Sequence, residues 1–496
     1  MSSNMELKNN INDEEQQRIR KLGLFAEKGL ETYPSISQQY TTVADYLKNN
    51  KTWLKSNKTI KMAGRIRSIR LQGGSCFLQF TDHTGALQAF VRKDRLGEES
   101  YQLFKNGLDA GDIVEFVGNA FVTKTKEPTI LVKKFKLLSK ALLPIPDDYY
   151  GLKDPDIRFR RRYLDLLTNP NTKKLFLLRS EVIKFSRRYF EDAGFIEVDT
   201  PILQSVAGGA AATPFVTHHK SLDMDMYLRV APELYLKRLI IGGYDKVFEV
   251  ARCFRNEGID HQHNPEFTQI EAYWSYQDYQ GLMKWMEKFY AQMVKNVNKG
   301  YIVTNGPDKI NFKPPFKVLD FRQALEKEMK IDLEKTSTPE LIALGKQAGL
   351  SMDAQWGRGK VLDELYKKFV RKNIIQPTFI IHHPIELSPL AKRRPSDSNY
   401  VERFQLVVKG AELCNAFSEL SDPLDQEKRF KEQAALKDKG DDEAFEADAD
   451  FVEALKYGLA PTSGLGFGID RLVMILGDVD NIKEVIMFPT MRPKKD

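Results

Sequence analysis

At 496 residues and a net charge of +7, the chain is too long for one ordinary core, so two or three domains are expected. No apolar run approaches the ~18 residues that span a bilayer, and the polar opening MSSNMELKNNINDEEQQRIRK has no secretory signal. Cys76, Cys253 and Cys414 are scattered and form no CxxC pair; this argues against a disulfide framework or a cysteine zinc site and fits a reducing, cytoplasmic setting. The positive charge suits a polyanionic partner without requiring one.

Residues from about Asp13 to Gly29 read as a helix with Ile19, Leu22 and Phe25 on one side, expected to lie solvated on the surface. From Thr59 to about Leu143 the pattern turns to short alternating strands. Ile60, Met62 and Ile66 alternate with Lys61, Arg65 and Arg67, and CFLQF, LQAFV, DIVEFVG and TILVKKF follow. Five strands in so short a span suggest a small barrel of the OB-fold type, which often binds single-stranded nucleic acid with a basic groove and aromatic platforms. Between Tyr46 and Thr81 there are eight Lys or Arg and no Asp or Glu. Phe77 follows this run, either as a core side chain or as a stacking platform.

The segment Leu143–Leu166 reads as a linker stiffened by two prolines and ending in a basic amphipathic helix. Beyond Lys173 the elements lengthen, and Val182, Phe185, Tyr189 and Phe190 form a helical face before Gly194. Residues 281–372 read as mostly helical without obvious chemistry, and the acidic run Gly440–Asp450 as a solvated helix start. The expected division is 1–50 as a helical extension, 51–145 as the barrel, 146–172 as the linker and 173–496 as a larger α+β domain.

Chemistry concentrates in Phe254–Tyr273, FRNEGIDHQHNPEFTQIEAY. An arginine can grip a phosphate at two points, an aromatic can stack on a purine, and a carboxylate can meet a cation. GFIEVDTPIL (Gly194–Leu203) precedes this run, and GLGFGIDRLVMIL (Gly464–Leu476) follows it, with Arg471 where a helix begins. There is no P-loop and no strand-linked GxGxxG. The three runs, in this order and with an arginine in the second and third, resemble motifs 1, 2 and 3 of the class II aminoacyl-tRNA synthetases, and within them the lysyl-tRNA synthetases. The resemblance covers nearly the whole chain. It implies an antiparallel sheet flanked by helices, an N-terminal OB-fold, a homodimer built on motif 1, and ATP held by arginines, Mg2+ and stacking.

The resemblance also implies roles. Arg255 would meet the α-phosphate and Arg471 the γ-phosphate. Phe267 would stack on adenine, and Glu257, His263 and Asn264 would add nucleotide contacts. A buried primary ammonium must be paired, and acidic residues recur in APELYLKRL, in the second motif and in ELCNAFSEL. By similarity, Glu271 and Glu419 with Tyr273 would hold the ε-ammonium of lysine, and Glu233 and the Gly209 backbone its α-ammonium. Asn415 would meet the carboxylate and Phe417 the aliphatic stem. Glu412 matches one of two family magnesium ligands, whereas the other position holds Gln405, which brings a carbonyl but no charge. In the barrel, Arg70, Phe77, Gln88 and Glu127 match anticodon-reading positions. The implied reaction is ATP-dependent formation of lysyl-adenylate and transfer to tRNA(Lys). An aspartate- or asparagine-charging enzyme, a non-catalytic paralogue and a protein-lysylating paralogue stand as alternatives at this point.

Overall fold

A computed structural model describes residues 2–146, 152–206, 208–210, 212–437 and 448–493. The chain forms two compact units, Met1–Lys153 and Asp154–Asp496.

In the first unit, β1 (Thr59–Gln72), β2 (Ser75–Thr81), β3 (Ala86–Arg92), β4 (Ile113–Val122) and β5 (Pro128–Ser139) close a barrel in the order β1-β2-β3-β5-β4. Alternation builds it: Ile60, Met62 and Ile66 of β1 and Cys76, Leu78 and Phe80 of β2 are buried in one apolar core. The intervening side chains face outward, and β1, β2 and β3 align Arg70 with Phe77 and Phe77 with Phe90. Phe77 is therefore half-buried on the outer face, where its ring stacks on Phe90 at 4.3 Å. Phe90 in turn stacks on Phe121 at 5.7 Å. Further along that face, Gln88 donates to Glu127 (3.2 Å) and accepts from Thr129 (2.9 Å).

The first helix, α1 (Ser2–Ala26), begins earlier than its sequence pattern suggests and is not merely solvated. Phe25 is buried in the barrel core, and the Arg18 guanidinium donates to the carbonyls of Ala110 and Ala141 at 3.0 Å each. Only Ile19 of the expected apolar face remains exposed. A second helix, α2 (Val43–Ser56), is N-capped by Thr42 and buries Tyr46.

The second unit is built on an eight-stranded sheet. In chain order its strands are β6 (Ile196–Glu197), β7 (Lys246–Phe254), β8 (Glu266–Ser275), β9 (Lys317–Asp320), β10 (Thr378–Ile381), β11 (Arg403–Val408), β12 (Ala411–Ser418) and β13 (Thr462–Gly468). Across the sheet they run β9-β10-β11-β12-β13-β8-β7-β6. The neighbours are antiparallel except for a parallel pair at each edge. Among the helices packed around this sheet are α3 (Pro170–Asp192), α4 (Glu233–Ile241) and α5 (Tyr279–Asn298). Val182 and Phe190 of α3 and Met286, Phe289 and Tyr290 of α5 pack on one sheet face against Phe248, Ile270, Leu465 and Phe467. The opposite face is thereby left for chemistry. This is the expected α+β architecture, an OB-fold barrel with a mostly antiparallel, helix-flanked sheet.

Residues 155–168 of the expected linker form two short helices of the second unit. Arg162 is fully buried there, paired with Asp165 (2.7 Å) and donating to the carbonyl of Lys483 (2.7 Å); residues 147–151 lie outside the described residues. The same holds for 440–447 of the acidic run. Its last residues are not all solvated: Asp448 is buried, caps the helix 449–456 and pairs with Arg238 at 2.9 Å. Among the described residues no helix is long and apolar enough to cross a membrane.

Candidate functional site

Strand β8 alternates, so Phe267, Gln269, Glu271 and Tyr273 share the free face of the sheet. All four line a cavity of about 210 Å³. Its floor is β13, where side chains are excluded: a Cβ on Gly464 would fall 2.3 Å from Glu419 Oε1 and 2.4 Å from Tyr273 Cε1. From the far side β12 contributes Glu412, Asn415 and Phe417. Simple alternation would not put 412 on the same face as 415 and 417. A bulge does so: the β11–β12 register slips so that Leu406 pairs Cys414 and Val407 pairs Glu412, and both Leu413 and Cys414 are turned into the core.

One end of the cavity is cationic and aromatic. Arg255 follows β7 immediately, and its backbone N–H donates to the Pro265 carbonyl (2.8 Å), closing the loop that returns to β8. Its guanidinium lies 5.1 Å from the Phe267 ring centroid, and its Nε is buried without a partner. Arg471, near the start of α6 (Ile469–Leu476), contacts His263 Nε2 at 3.2 Å. The other ring nitrogen of His263 lies 2.8 Å from Asp260. Arginine can only donate and the carboxylate only accept, so the geometry requires the Nδ1–H tautomer. Asp260 also accepts the backbone N–H groups of Gln262 (2.6 Å) and His263 (2.8 Å). Glu257 and Asn264 line the same end; the Asn264 amide donates to the Glu266 carbonyl at 2.7 Å.

The other end is acidic. Glu271 is buried; its Oε1 accepts from Gln269 Nε2 at 2.5 Å, and its Oε2 has no hydrogen-bond partner. Burial, reinforced by Glu233 and Glu249, pushes its carboxyl well above the usual range. Glu233 opens α4 and faces Gly209, whose positive φ of 92° and closeness to the Glu233 side chain both favour glycine. Burial raises Glu233, opposed by Lys237. Glu419 does not line the cavity. It lies behind Gly464, buried and paired with Lys237, and burial raises its pKa to about 8 against the pull of Lys237. Burial beside the three carboxylates also holds the Tyr273 hydroxyl protonated.

Asn415 accepts from Arg403 Nε (2.7 Å) through its carbonyl, which leaves its amide N–H groups for a ligand. Arg403 is anchored in turn by the Leu387 carbonyl (2.7 Å) and the Ser388 hydroxyl (2.8 Å). Gln405 also lies behind the cavity wall: its Nε2 donates to Glu412 (2.9 Å), and its buried Oε1 has no partner. Among the described residues no cluster of three His, Cys, Asp or Glu side chains is arranged for a metal ion. Glu412 thus offers a carboxylate, and Gln405, which turns its N–H to Glu412, offers a carbonyl once its amide rotates; both are hard ligands that fit a cation completing its shell from phosphate and water.

The site residues named from sequence in the larger unit thus converge on this cavity, with Glu419 and Gln405 just behind its wall. Sequence reading missed Lys237, Gln269, Asp260 and Arg403. Lys237 carried a signal, four residues after Glu233 on one helix. Gln269 carried another, since it shares the alternation of Glu271. Asp260 and Arg403 carried none, because their partners come from turn geometry and strand register.

The family described as tRNA synthetases class II (D, K and N) matches residues 154–492, and an OB-fold nucleic acid binding domain matches residues 60–138. The chain is 44% identical to a lysine--tRNA ligase of Thermoanaerobacter sp., over 97% of this chain and 96% of that one. It is 46% identical to that of Halalkalibacterium halodurans over 88% and 87%, and 42% identical to that of Listeria monocytogenes over 97% and 98%.

Proposed function

Because the chain belongs to the class II tRNA synthetases (D, K and N), we propose that it activates L-lysine with ATP and transfers it to the 3′ end of tRNA(Lys). The observation that carries the choice of amino acid is the acidic end of the cavity, where the buried Glu271 Oε2 lacks a partner and Glu233 stands nearby. Glu271 and Tyr273, with Glu419 reached past Gly464, would take the ε-ammonium; Glu233 and the Gly209 backbone would take the α-ammonium. Phe417 flanks the methylene stem. Aspartate would bring a carboxylate to this end, and one unpaired buried charge costs about 3 kcal/mol, over a hundredfold in preference.

At the other end Phe267 offers its ring to adenine. Arg255 would hold the α-phosphate, and Arg471 the γ-phosphate with His263 beside it. A carboxylate oxygen of lysine attacks the α-phosphorus in line, the bond to the bridging oxygen breaks, and pyrophosphate leaves. The nucleophile is already ionised, so no side chain acts as a base. Arg255 stabilises the charge on the α-phosphate oxygens, and Asn415 orients the attacking carboxylate. The tRNA 3′-hydroxyl then attacks the acyl carbon and AMP departs. Glu412 and Gln405 would hold Mg2+, which neutralises phosphate charge when bound. Since Gln405 adds no charge, Gln405→Glu should lower the magnesium concentration for half-maximal exchange several-fold; an unchanged requirement would remove Gln405 from the metal site.

The barrel would read the anticodon. Phe77 on its Phe90–Phe121 stack is the platform, with Arg70, Gln88 and Glu127 at the base edges and the basic run along the backbone. Phe77→Ala should leave lysine-dependent pyrophosphate exchange intact and reduce tRNA charging about tenfold or more, one stacked base being worth ~1–3 kcal/mol. Equal loss of both activities would make Phe77 structural. The exposed Ile196, Ile202 and Leu203 of the first motif support a homodimer across that segment, and the three buried free thiols suit the cytoplasm. Charging of tRNA with labelled lysine, aspartate and asparagine tests the reading: lysine alone should be transferred, and transfer of aspartate or asparagine would overturn it.

A further inference from the structure

Lys237 lies on α4 one turn after Glu233 and is fully buried. Its ammonium stands 2.6 Å from Glu233 Oε1 and is paired with Glu419 Oε2. Three rings enclose it, with centroids at 5.5 Å (Phe417), 5.8 Å (Phe451) and 6.0 Å (Tyr273). Phe417 and Tyr273 line the cavity, whereas Lys237 does not. A cation of the protein itself is therefore wedged behind the pocket wall between two of its three carboxylates.

The pairing decides the charge of the pocket. Glu233, Glu271 and Glu419 are all buried within one acidic cluster. Three ionised carboxylates would repel one another, and one would take up a proton. A protonated carboxyl still forms hydrogen bonds but offers no charge to a substrate ammonium. Once ionised by an incoming ligand, the three carboxylates and the Lys237 ammonium carry two net negative charges, matching a ligand with two ammonium groups. Resting on the lysine-activating reading, we propose that Lys237 is a positioning and specificity residue that offsets one of these charges and eases the ionisation of Glu419, whose other oxygen lies against Gly464 in the cavity wall.

The groups facing Glu419 are Lys237 and Glu233 from α4, Tyr273 from β8 and the Gly464 N–H from β13. Burial lifts the Glu419 carboxyl to about 8, and Lys237 is the largest influence holding it down. Lys237 itself stays charged: burial lowers its pKa, but Glu233 and Glu419 more than offset that. Without Lys237 the Glu419 carboxyl rises further, and at neutral pH it costs an incoming ammonium more to expel the proton there. Affinity for lysine then climbs with pH up to the new pKa.

The test is the pH profile of kcat/KM for lysine in pyrophosphate exchange, which reports groups of the free enzyme. The unmodified enzyme should level off near pH 8, following Glu419. Lys237→Met should move that point up by a unit or more, with about a tenfold loss at neutral pH for each unit. Lys237→Arg, which keeps the cation, should restore most of the original profile, and Lys237→Gln gives the same readout as Met should the latter misfold. A fall of equal size at every pH, or a normal profile in both neutral variants, overturns the proposal. Absence of lysine-dependent exchange in the unmodified enzyme would instead overturn the parent reading, and it is seen before any variant is made.

Discussion

Arg255→Ala is expected to lower ATP–pyrophosphate exchange by at least 10²- to 10³-fold while the melting temperature stays within a degree or two. The size follows from removing one preorganised charge donor at a centre where negative charge develops, an effect of about 2.7–4 kcal/mol. The unchanged stability follows from the position. Arg255 lies at the mouth of a loop, its Nε has no partner, and its main neighbour is the Phe267 ring. Removing the side chain therefore forfeits a cation–π contact and little packing. Lysine at this position should recover only part of the rate, because an ammonium cannot grip two phosphate oxygens as a planar fork does. Near-normal exchange in the alanine variant would remove Arg255 from the chemistry.

Glu271→Gln has the second largest expected effect and acts in opposite directions on function and stability. The substitution keeps the volume of a buried side chain and its hydrogen bond to Gln269, but it removes the charge that meets the substrate ammonium. A hydrogen bond to a charged group contributes about 1.5–3 kcal/mol, so kcat/KM for lysine should fall roughly 10- to 150-fold. The folded-state pKa of Glu271 is raised well above its ordinary value, chiefly by burial. A carboxyl raised in this way binds its proton more tightly when folded. It weakens the fold as pH rises from the unfolded pKa through the folded one. At neutral pH the glutamine variant should therefore melt higher than the parent, and the difference should shrink in acid. A variant that loses activity and melts lower would mark Glu271 as structural.

Much of the site could be read from sequence because it lies on one strand. Alternation along β8 places Phe267, Glu271 and Tyr273 on one face wherever the strand sits, and the flanking glycines of β13 announce a close approach. The barrel was legible for the same reason, through Ile60, Met62 and Ile66. Depth was not legible. Nothing in ELCNAFSEL says that Glu419 lies behind Gly464 rather than on the wall, since that depends on which neighbour lacks a side chain. The bulge that returns Glu412 to the face of Asn415 is invisible in a residue pattern. The N-terminal helix was misread as solvated because its burial turns on Phe25 and Arg18, whose carbonyl partners lie some ninety to one hundred and twenty residues away. Lys237 was not singled out, because its enclosure depends on Glu419 and Tyr273, which come from distant segments.

The central claim is that buried carboxylates select a substrate by the ammonium at the end of its side chain. Norleucine tests it most directly, having the same six-carbon chain as lysine with a hydrogen in place of the ammonium. In pyrophosphate exchange at neutral pH, lysine should exceed norleucine in kcat/KM by more than a hundredfold, as expected for about 3 kcal/mol from one buried charge left without its partner. Comparable values for the two would mean that the acidic end does not read the ammonium.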